Sequence, residues 1–187
     1  MDNILNLNKS AALNLITALI EELSAADKLE YALCAELSTN ASKTYTDMNT
    51  FAVSVCIGIS EIVDTKASIV SDADFVNVIM SIYHAHMHCV QKNNVFRKAD
   101  VNEFEKTQII QEIACFGNFD YYLSNYSSNL NEIQAEQYCI AQGHQYLLDI
   151  FPDIDAIQIE SLLLEAVNIR RVNLVRSILA DMRSILA

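Results

Sequence analysis

Residues 71–92 read SDADFVNVIMSIYHAHMHCVQK, a stretch without glycine or proline. Ser71 is followed three positions later by Asp74, which is similar to the capping box at the start of many helices. Apolar side chains then recur at spacings of three and four, the pattern of one helix face. They are Phe75, Val76, Ile79, Ile82, Tyr83, Met87 and Val90. The stretch therefore predicts a helix from about residue 72 to residue 92.

Three of the four histidines, His84, His86 and His88, lie within this predicted helix. In a strand all three would share one face, because side chains two positions apart point the same way. In a helix each residue turns by about 100°, so His86 joins the apolar stripe while His84 and His88 lie on nearly the opposite face. We therefore predict a buried, neutral His86 and a solvent-facing pair of His84 and His88.

The spacing i, i+4 allows His84 and His88 to bind one zinc, nickel or copper ion together. A complete site needs a third ligand, for which His144 or a glutamate elsewhere in the chain are candidates. The stretch is not H-E-x-x-H, so the general-base glutamate of that zinc-protease arrangement is missing. A divalent metal at His84 and His88 is one prediction, and a solvated face with adventitious binding is the alternative.

The rest of the chain also favours helices. It contains three glycines and one proline, whereas sheets need turns that draw on both residues. Residues 38–46 are polar and predict a loop. Further helices are predicted at 10–23, from Ser24 to about Leu37, and at 47–63, 101–115, 131–151 and 153–167. The predicted fold class is all-α, a single-domain helical bundle of about seven to nine helices.

The C-terminal end differs in charge from the rest of the chain. Residues 1–168 are strongly acidic, whereas 169–187 contain four arginines and one acid. The end also carries a heptad-like apolar seam made of Val172, Val175, Leu179, Met182 and Leu186. We predict an acidic helical domain over 1–168 and a basic amphipathic helix over 169–187. That helix either docks on its own domain or forms the seam of a homodimer.

The net charge of −12 restricts the partners. Nucleic acid and anionic membranes are poor partners, because both attract basic surfaces, whereas a basic protein would be steered towards this chain. The densest group of aromatic residues with nearby acids either forms a layer of the core or, if exposed, supplies a candidate partner-binding surface. Its members are Asp120, Tyr121, Tyr122, Tyr126 and Glu132.

No diagnostic catalytic motif occurs. The chain has no G-x-S-x-G, P-loop or G-x-G-x-x-G, and a Cys139–His144 nucleophile is poorly spaced for a helix. The five cysteines are widely scattered, which predicts reduced thiols and a cytoplasmic location. The first residues lack the apolar core of a signal peptide.

Three function classes follow, in this order. The first is a non-enzymatic protein-binding protein, such as an acidic stoichiometric inhibitor or immunity protein that neutralises a basic toxin or nuclease. The second is a helical host-interaction or scaffold protein. The third is a metal-dependent enzyme that uses His84 and His88. We predict no catalytic residue, no organic cofactor and no enzymatic activity.

Overall fold

A computed structural model describes most of the chain. The described residues are 3–27, 30–34, 42–46, 53–97 and 130–168, with Glu103 and Thr107. The predicted C-terminal helix over 169–187, with its seam residues Val172, Val175, Leu179, Met182 and Leu186, lies outside them and stays a prediction. So do the domain boundary at residue 168 and the homodimer.

Helices make up most of the described chain, as predicted. They are α1 (Lys9–Asp27), α2 (Ser60–Val63), α3 (Asp72–Arg97), α4 (Leu130–Ile150) and α5 (156–168). The predicted number of seven to nine helices is not confirmed. Pro152 follows the end of α4, and Asp155 starts the next helix by accepting the Ile157 N–H with its Oδ1 at 2.7 Å. This is the capping role typical of an acid at a helix start.

A short three-stranded sheet accompanies the helices, and the described chain stays mostly helical, consistent with the all-α prediction. Its strands are β1 (Glu30–Cys34), β2 (Ser42–Thr46) and β3 (Val53–Gly58). The central strand is β3, with β1 parallel on one side and β2 antiparallel on the other. The predicted helix up to Leu37 and the predicted loop over 38–46 are therefore wrong where β1 and β2 lie.

The prediction of a buried helix over 47–63 is also wrong for β3. Val55, Cys56 and Ile57 are consecutive and all buried, so the strand is covered on both faces. Such a strand reads as a continuous apolar run, which periodicity cannot distinguish from a buried helix. The valines and the isoleucine of β3 are compatible with this strand, because β-branched side chains fit a pleated strand well.

The central element is α3. It packs against α4, the sheet and α1, and every residue from Phe75 to His86 is buried. A helix with neighbours on all sides buries its whole circumference. The prediction that His84 faces solvent is therefore wrong, because α4 covers the face opposite the apolar stripe.

The N-terminal segment is fastened to the start of α3. The Asp72 carboxylate accepts the Ile4 N–H at 2.6 Å and the Leu5 N–H at 3.3 Å. Burial raises the pKa of Asp72, although these two hydrogen bonds act in the opposite direction.

Within the described residues, no helix has both the length and the apolar character needed to cross a membrane.

Candidate metal centre

Two successive turns of α3 and the first turn of α4 place three metal-ligating side chains together. His84 and His88 are four residues apart, so both project from one side of α3 towards α4. Glu132 lies in the first turn of α4. The His84 and His88 Nε2 atoms are 3.0 Å apart, and one donor atom from each of the three side chains lies within 4.8 Å of the others.

Both glutamate oxygens face the histidine rings. Glu132 Oε2 is 3.3 Å from His84 Nε2, and Glu132 Oε1 is 3.4 Å from His88 Nε2. Two ligands of a tetrahedral zinc ion, each about 2.0–2.1 Å from the metal, lie about 3.3 Å apart. The contacts between the three side chains therefore have the length of ligand–ligand contacts around one small cation.

The site is secluded from solvent. His84 is 7% exposed and Glu132 is 4% exposed, while His88 is half-buried. Burial alone would raise the pKa of Glu132. Hydrogen bonds to His84 and His88, together with the charge of the two rings, outweigh burial and lower the pKa of this carboxyl far below its ordinary value. The neighbouring rings thus favour the ionised form of Glu132 over what burial alone would allow.

The other ring nitrogens have partners of their own. His88 Nδ1 is 3.0 Å from Gln91 Oε1, and His84 Nδ1 is 3.5 Å from Glu136 Oε1. The Gln91 amide donates in turn to the Asn131 carbonyl oxygen and to Gln134 Oε1, both at 3.1 Å. Protein metal sites characteristically hold the second nitrogen of a ligating histidine in this way.

His86 lies apart from the three ligand candidates. It is 3% exposed, which agrees with the predicted core position, and its ring stacks on Tyr138 with centroids 5.9 Å apart. It therefore packs in the α3–α4 interface and is absent from the ligand group formed by the described residues. His144, the other histidine considered as a third ligand, is absent from that group too.

The structure changes the interpretation of Glu132. The sequence predicted it as part of an exposed partner-binding surface, whereas it is buried against His84 and His88. The other four residues of that surface, Asp120, Tyr121, Tyr122 and Tyr126, lie outside the described residues, and their role stays a prediction.

The sequence predicted His144 or a glutamate as third ligand but did not identify Glu132, and it gave no role to Gln91 and Glu136 as outer partners. The sequence did contain one signal of such a cluster. His84 and His88 lie four positions apart on one predicted helix, and Glu132 and Glu136 lie four positions apart on another. Two such pairs can face each other across a helix interface. Nothing in the sequence indicated that these two helices are neighbours.

Buried polar residues continue along α3 from the site. Ser81 and Asn77 precede His84 by about one and two turns, and both are fully or almost fully buried. Among the cysteines, Cys89 and Cys139 are buried and form no disulfide, whereas Cys56 is disulfide-bonded. The expectation of reduced thiols is therefore wrong for Cys56, and the cytoplasmic location stays a prediction.

Comparison with known proteins adds no family to this geometry. A scan against protein-family models, a search of curated proteins and a search of solved structures each found no match. The fold and the site together define a mostly helical protein with a secluded cluster of two histidines and one carboxylate between its central helix and α4. Functional inference therefore depends on the chemistry of that cluster.

Proposed function

We propose that this protein binds one divalent transition-metal ion through His84 Nε2, His88 Nε2 and the Glu132 carboxylate. The observation that carries the proposal is that the two Nε2 atoms lie 3.0 Å apart and that each lies 3.3–3.4 Å from a different oxygen of the same carboxylate. Two imidazoles and one carboxylate are a donor set that proteins use for zinc and for non-haem iron.

A shared proton is the competing explanation for the same contacts. Two ring nitrogens 3.0 Å apart can hold one proton between them, since one must donate and the other accept. That arrangement uses one nitrogen lone pair, and a second proton would place two like charges in contact. A divalent cation uses the lone pairs of both rings and also neutralises a buried carboxylate, whose charge is costly to bury without a partner.

The donor types narrow the identity of the ion. Calcium and magnesium select oxygen ligands, so two imidazoles disfavour both. Copper(I) favours soft sulfur ligands, and the three-residue ligand group of the described chain contains no cysteine. Zinc is the first candidate, because nitrogen and carboxylate oxygen are its ordinary ligands and the contacts match its tetrahedral geometry.

Metal analysis of protein made without a histidine tag tests the proposal. We expect about one zinc ion per chain in wild-type protein, and loss of most of it in His84→Ala and Glu132→Gln. The matched control is His86→Phe, which lies on the same helix and keeps an aromatic ring against Tyr138. This variant is expected to retain the metal.

Titration of metal-free protein with zinc supplies the second measurement. Failure of the folded wild-type protein to bind zinc, iron(II), nickel or cobalt would overturn the proposal. Equal binding by wild type and Glu132→Gln would also contradict it, because the carboxylate would then make no contribution as a ligand.

The acidic inhibitor predicted from the sequence is a separate proposal, and it depends on the net charge of −12. It is compatible with a metal centre, since a secluded ion leaves the acidic surface unchanged. Its test is capture of a basic partner at low salt, with binding that weakens as salt screens the charges. Salt-insensitive capture would favour the scaffold alternative.

A further inference from the structure

We propose that Gln91 is a positioning residue that holds His88 in the tautomer required for metal binding. This inference rests on the proposed metal site at His84, His88 and Glu132. Gln91 does not reach the donor triangle itself. Its side-chain amide lies behind the His88 ring, on the side away from Glu132.

The orientation of the Gln91 amide follows from its partners. The backbone carbonyl oxygen of Asn131 can only accept a hydrogen bond, so the Gln91 atom 3.1 Å from it must be Nε2. The second Nε2 hydrogen is directed to Gln134 Oε1, also at 3.1 Å. Both amide hydrogens are therefore used, and the remaining atom, Oε1, faces His88.

The protonation of the His88 ring follows in turn. Gln91 Oε1 is an acceptor, so His88 Nδ1 at 3.0 Å must carry the hydrogen. When the ring is neutral, as metal binding requires, a hydrogen on Nδ1 leaves the lone pair on Nε2, and the Nε2–H that a charged ring offers to Glu132 is then absent. His88 Nε2 is the atom 3.4 Å from Glu132 Oε1 and 3.0 Å from His84 Nε2. A chain of hydrogen bonds from the Asn131 carbonyl thus directs a lone pair to the metal position.

Within the described part of the chain, the outer contact of His84 is to a carboxylate and not to an amide. Its Nδ1 faces the Glu136 carboxylate at 3.5 Å, a longer contact to a half-buried group. The Gln91 contact is shorter, and it is anchored on a backbone atom of α4. We therefore expect the tautomer of His88 to depend more strongly on its outer partner than that of His84.

The first measurement is zinc affinity by competition with a coloured chelator. Gln91→Met keeps the length of the side chain and removes both its acceptor and its donors. We expect it to bind zinc about 10- to 100-fold more weakly, the usual effect of losing an outer partner of a histidine ligand. The matched control is Gln134→Met, which leaves the Gln91 bonds to His88 and Asn131 intact and should stay within about threefold of wild type.

The second measurement reads the tautomer directly. Long-range nitrogen–proton NMR spectra of metal-free protein show which ring nitrogen carries the hydrogen. We expect His88 to carry it on Nδ1 in wild type and Gln134→Met, and to become a mixture in Gln91→Met. Gln91→Glu restores the acceptor and should restore the tautomer, although it cannot donate to the Asn131 carbonyl and should unfold at lower urea.

The outcomes separate this inference from the metal proposal. An unchanged His88 tautomer and unchanged zinc affinity in Gln91→Met would overturn the inference and leave the metal site standing. If the His88 tautomer changes with loss of the acceptor oxygen at position 91, but the protein binds no metal, the metal proposal is overturned and the hydrogen-bond chain is retained. Equal loss of affinity in Gln91→Glu and Gln91→Met would reduce Gln91 to a structural contact, which also overturns the inference.

Discussion

The two halves of α3 meet α4 with different chemistry. In the half from Asp72 to Tyr83, aromatic rings contact α4 and the turn after it: Phe75 meets Phe151 edge to face, and Tyr83 lies against Tyr138 and Tyr146. In the half from His84 to Gln91, imidazoles, a carboxylate and carboxamides make the contacts. Burial of apolar rings stabilises the first half, whereas the second half buries imidazoles and a carboxylate, which costs desolvation unless these groups are paired or coordinated.

This difference separates an aromatic end of the interface from the end that carries the proposed metal site. Apolar contacts need no partner beyond the chain, so the aromatic half should be equally stable with or without an ion. Removing two imidazoles and a carboxylate from water costs free energy, and coordination of an ion or ion pairing offsets this cost. The stability of the polar half should therefore depend on solution conditions.

The largest expected effect is at Phe75. This ring is fully buried, and its truncation in Phe75→Ala should lower the free energy of unfolding by about 3–5 kcal/mol. Urea unfolding monitored with and without zinc measures it. The loss should be the same in both conditions, because Phe75 belongs to the half that is independent of the ion.

Ile157→Ala is the matched control, because Ile157 is 73% exposed and its truncation should change stability by less than about 0.5 kcal/mol. A loss below about 1 kcal/mol for Phe75→Ala would contradict the assignment of the core. Where Phe75→Ala does not fold, Phe75→Leu measures the same contact with a smaller loss.

The second largest effect is expected from metal removal. At a free zinc concentration about 100 times the dissociation constant, binding should stabilise the folded state by about 2.7 kcal/mol. For a chain of this size that corresponds to a fall of about 5–10 °C in Tm when a chelator is added. Thermal unfolding with and without chelator is the measurement.

Two variants sharpen the metal effect by their position on α3. His84→Ala should lose the chelator-induced shift, while Ile79→Val in the aromatic half should keep all of it, since distant sites contribute independently. A shift that persists in His84→Ala would place the stabilising ion elsewhere in the chain.

The halves of α3 also differ in how far the sequence predicted them. The start at Ser71, the helical spacing and the burial of His86 followed from local pattern. The burial of His84 did not, because it depends on α4, whose side chains arrive from more than forty positions away in the chain. A single helical wheel separates polar from apolar faces, but it carries no information about which face a distant polar helix will cover.

The sheet illustrates the same limit in another form. The apolar run that contains β3 was long enough for a helix, and both faces of the strand are covered, so the alternation that marks a half-buried strand is absent. The neighbours of β3 that satisfy its backbone, β1 and β2, lie in segments that were predicted as helix and loop. Pairing with distant segments decided the secondary structure, and local propensity did not reveal it.

The smallest expected effect is at Tyr146, where a hydrogen bond fastens the aromatic half to α1. Its hydroxyl donates to the Leu15 carbonyl oxygen at 3.0 Å, and Tyr146→Phe should cost about 1 kcal/mol. Burial, with a contribution from the charge of Glu22, raises the pKa of Tyr146 to about 12, above the ordinary value of about 10. The neutral hydroxyl is therefore favoured in the folded state.

The sign of the pH dependence at Tyr146 follows from this raised pKa. Its contribution should be complete below about pH 10 and should be lost as pH rises towards 12, because the unfolded chain ionises first. Urea unfolding across this range should show a shallower decline in Tyr146→Phe than in wild type, while Gln145→Ala, on the exposed side of α4, should follow wild type. Parallel declines in Tyr146→Phe and wild type would mean that the Tyr146 hydroxyl ionises as readily in the folded protein as in water. Burial would then not protect this end of the interface from solvent.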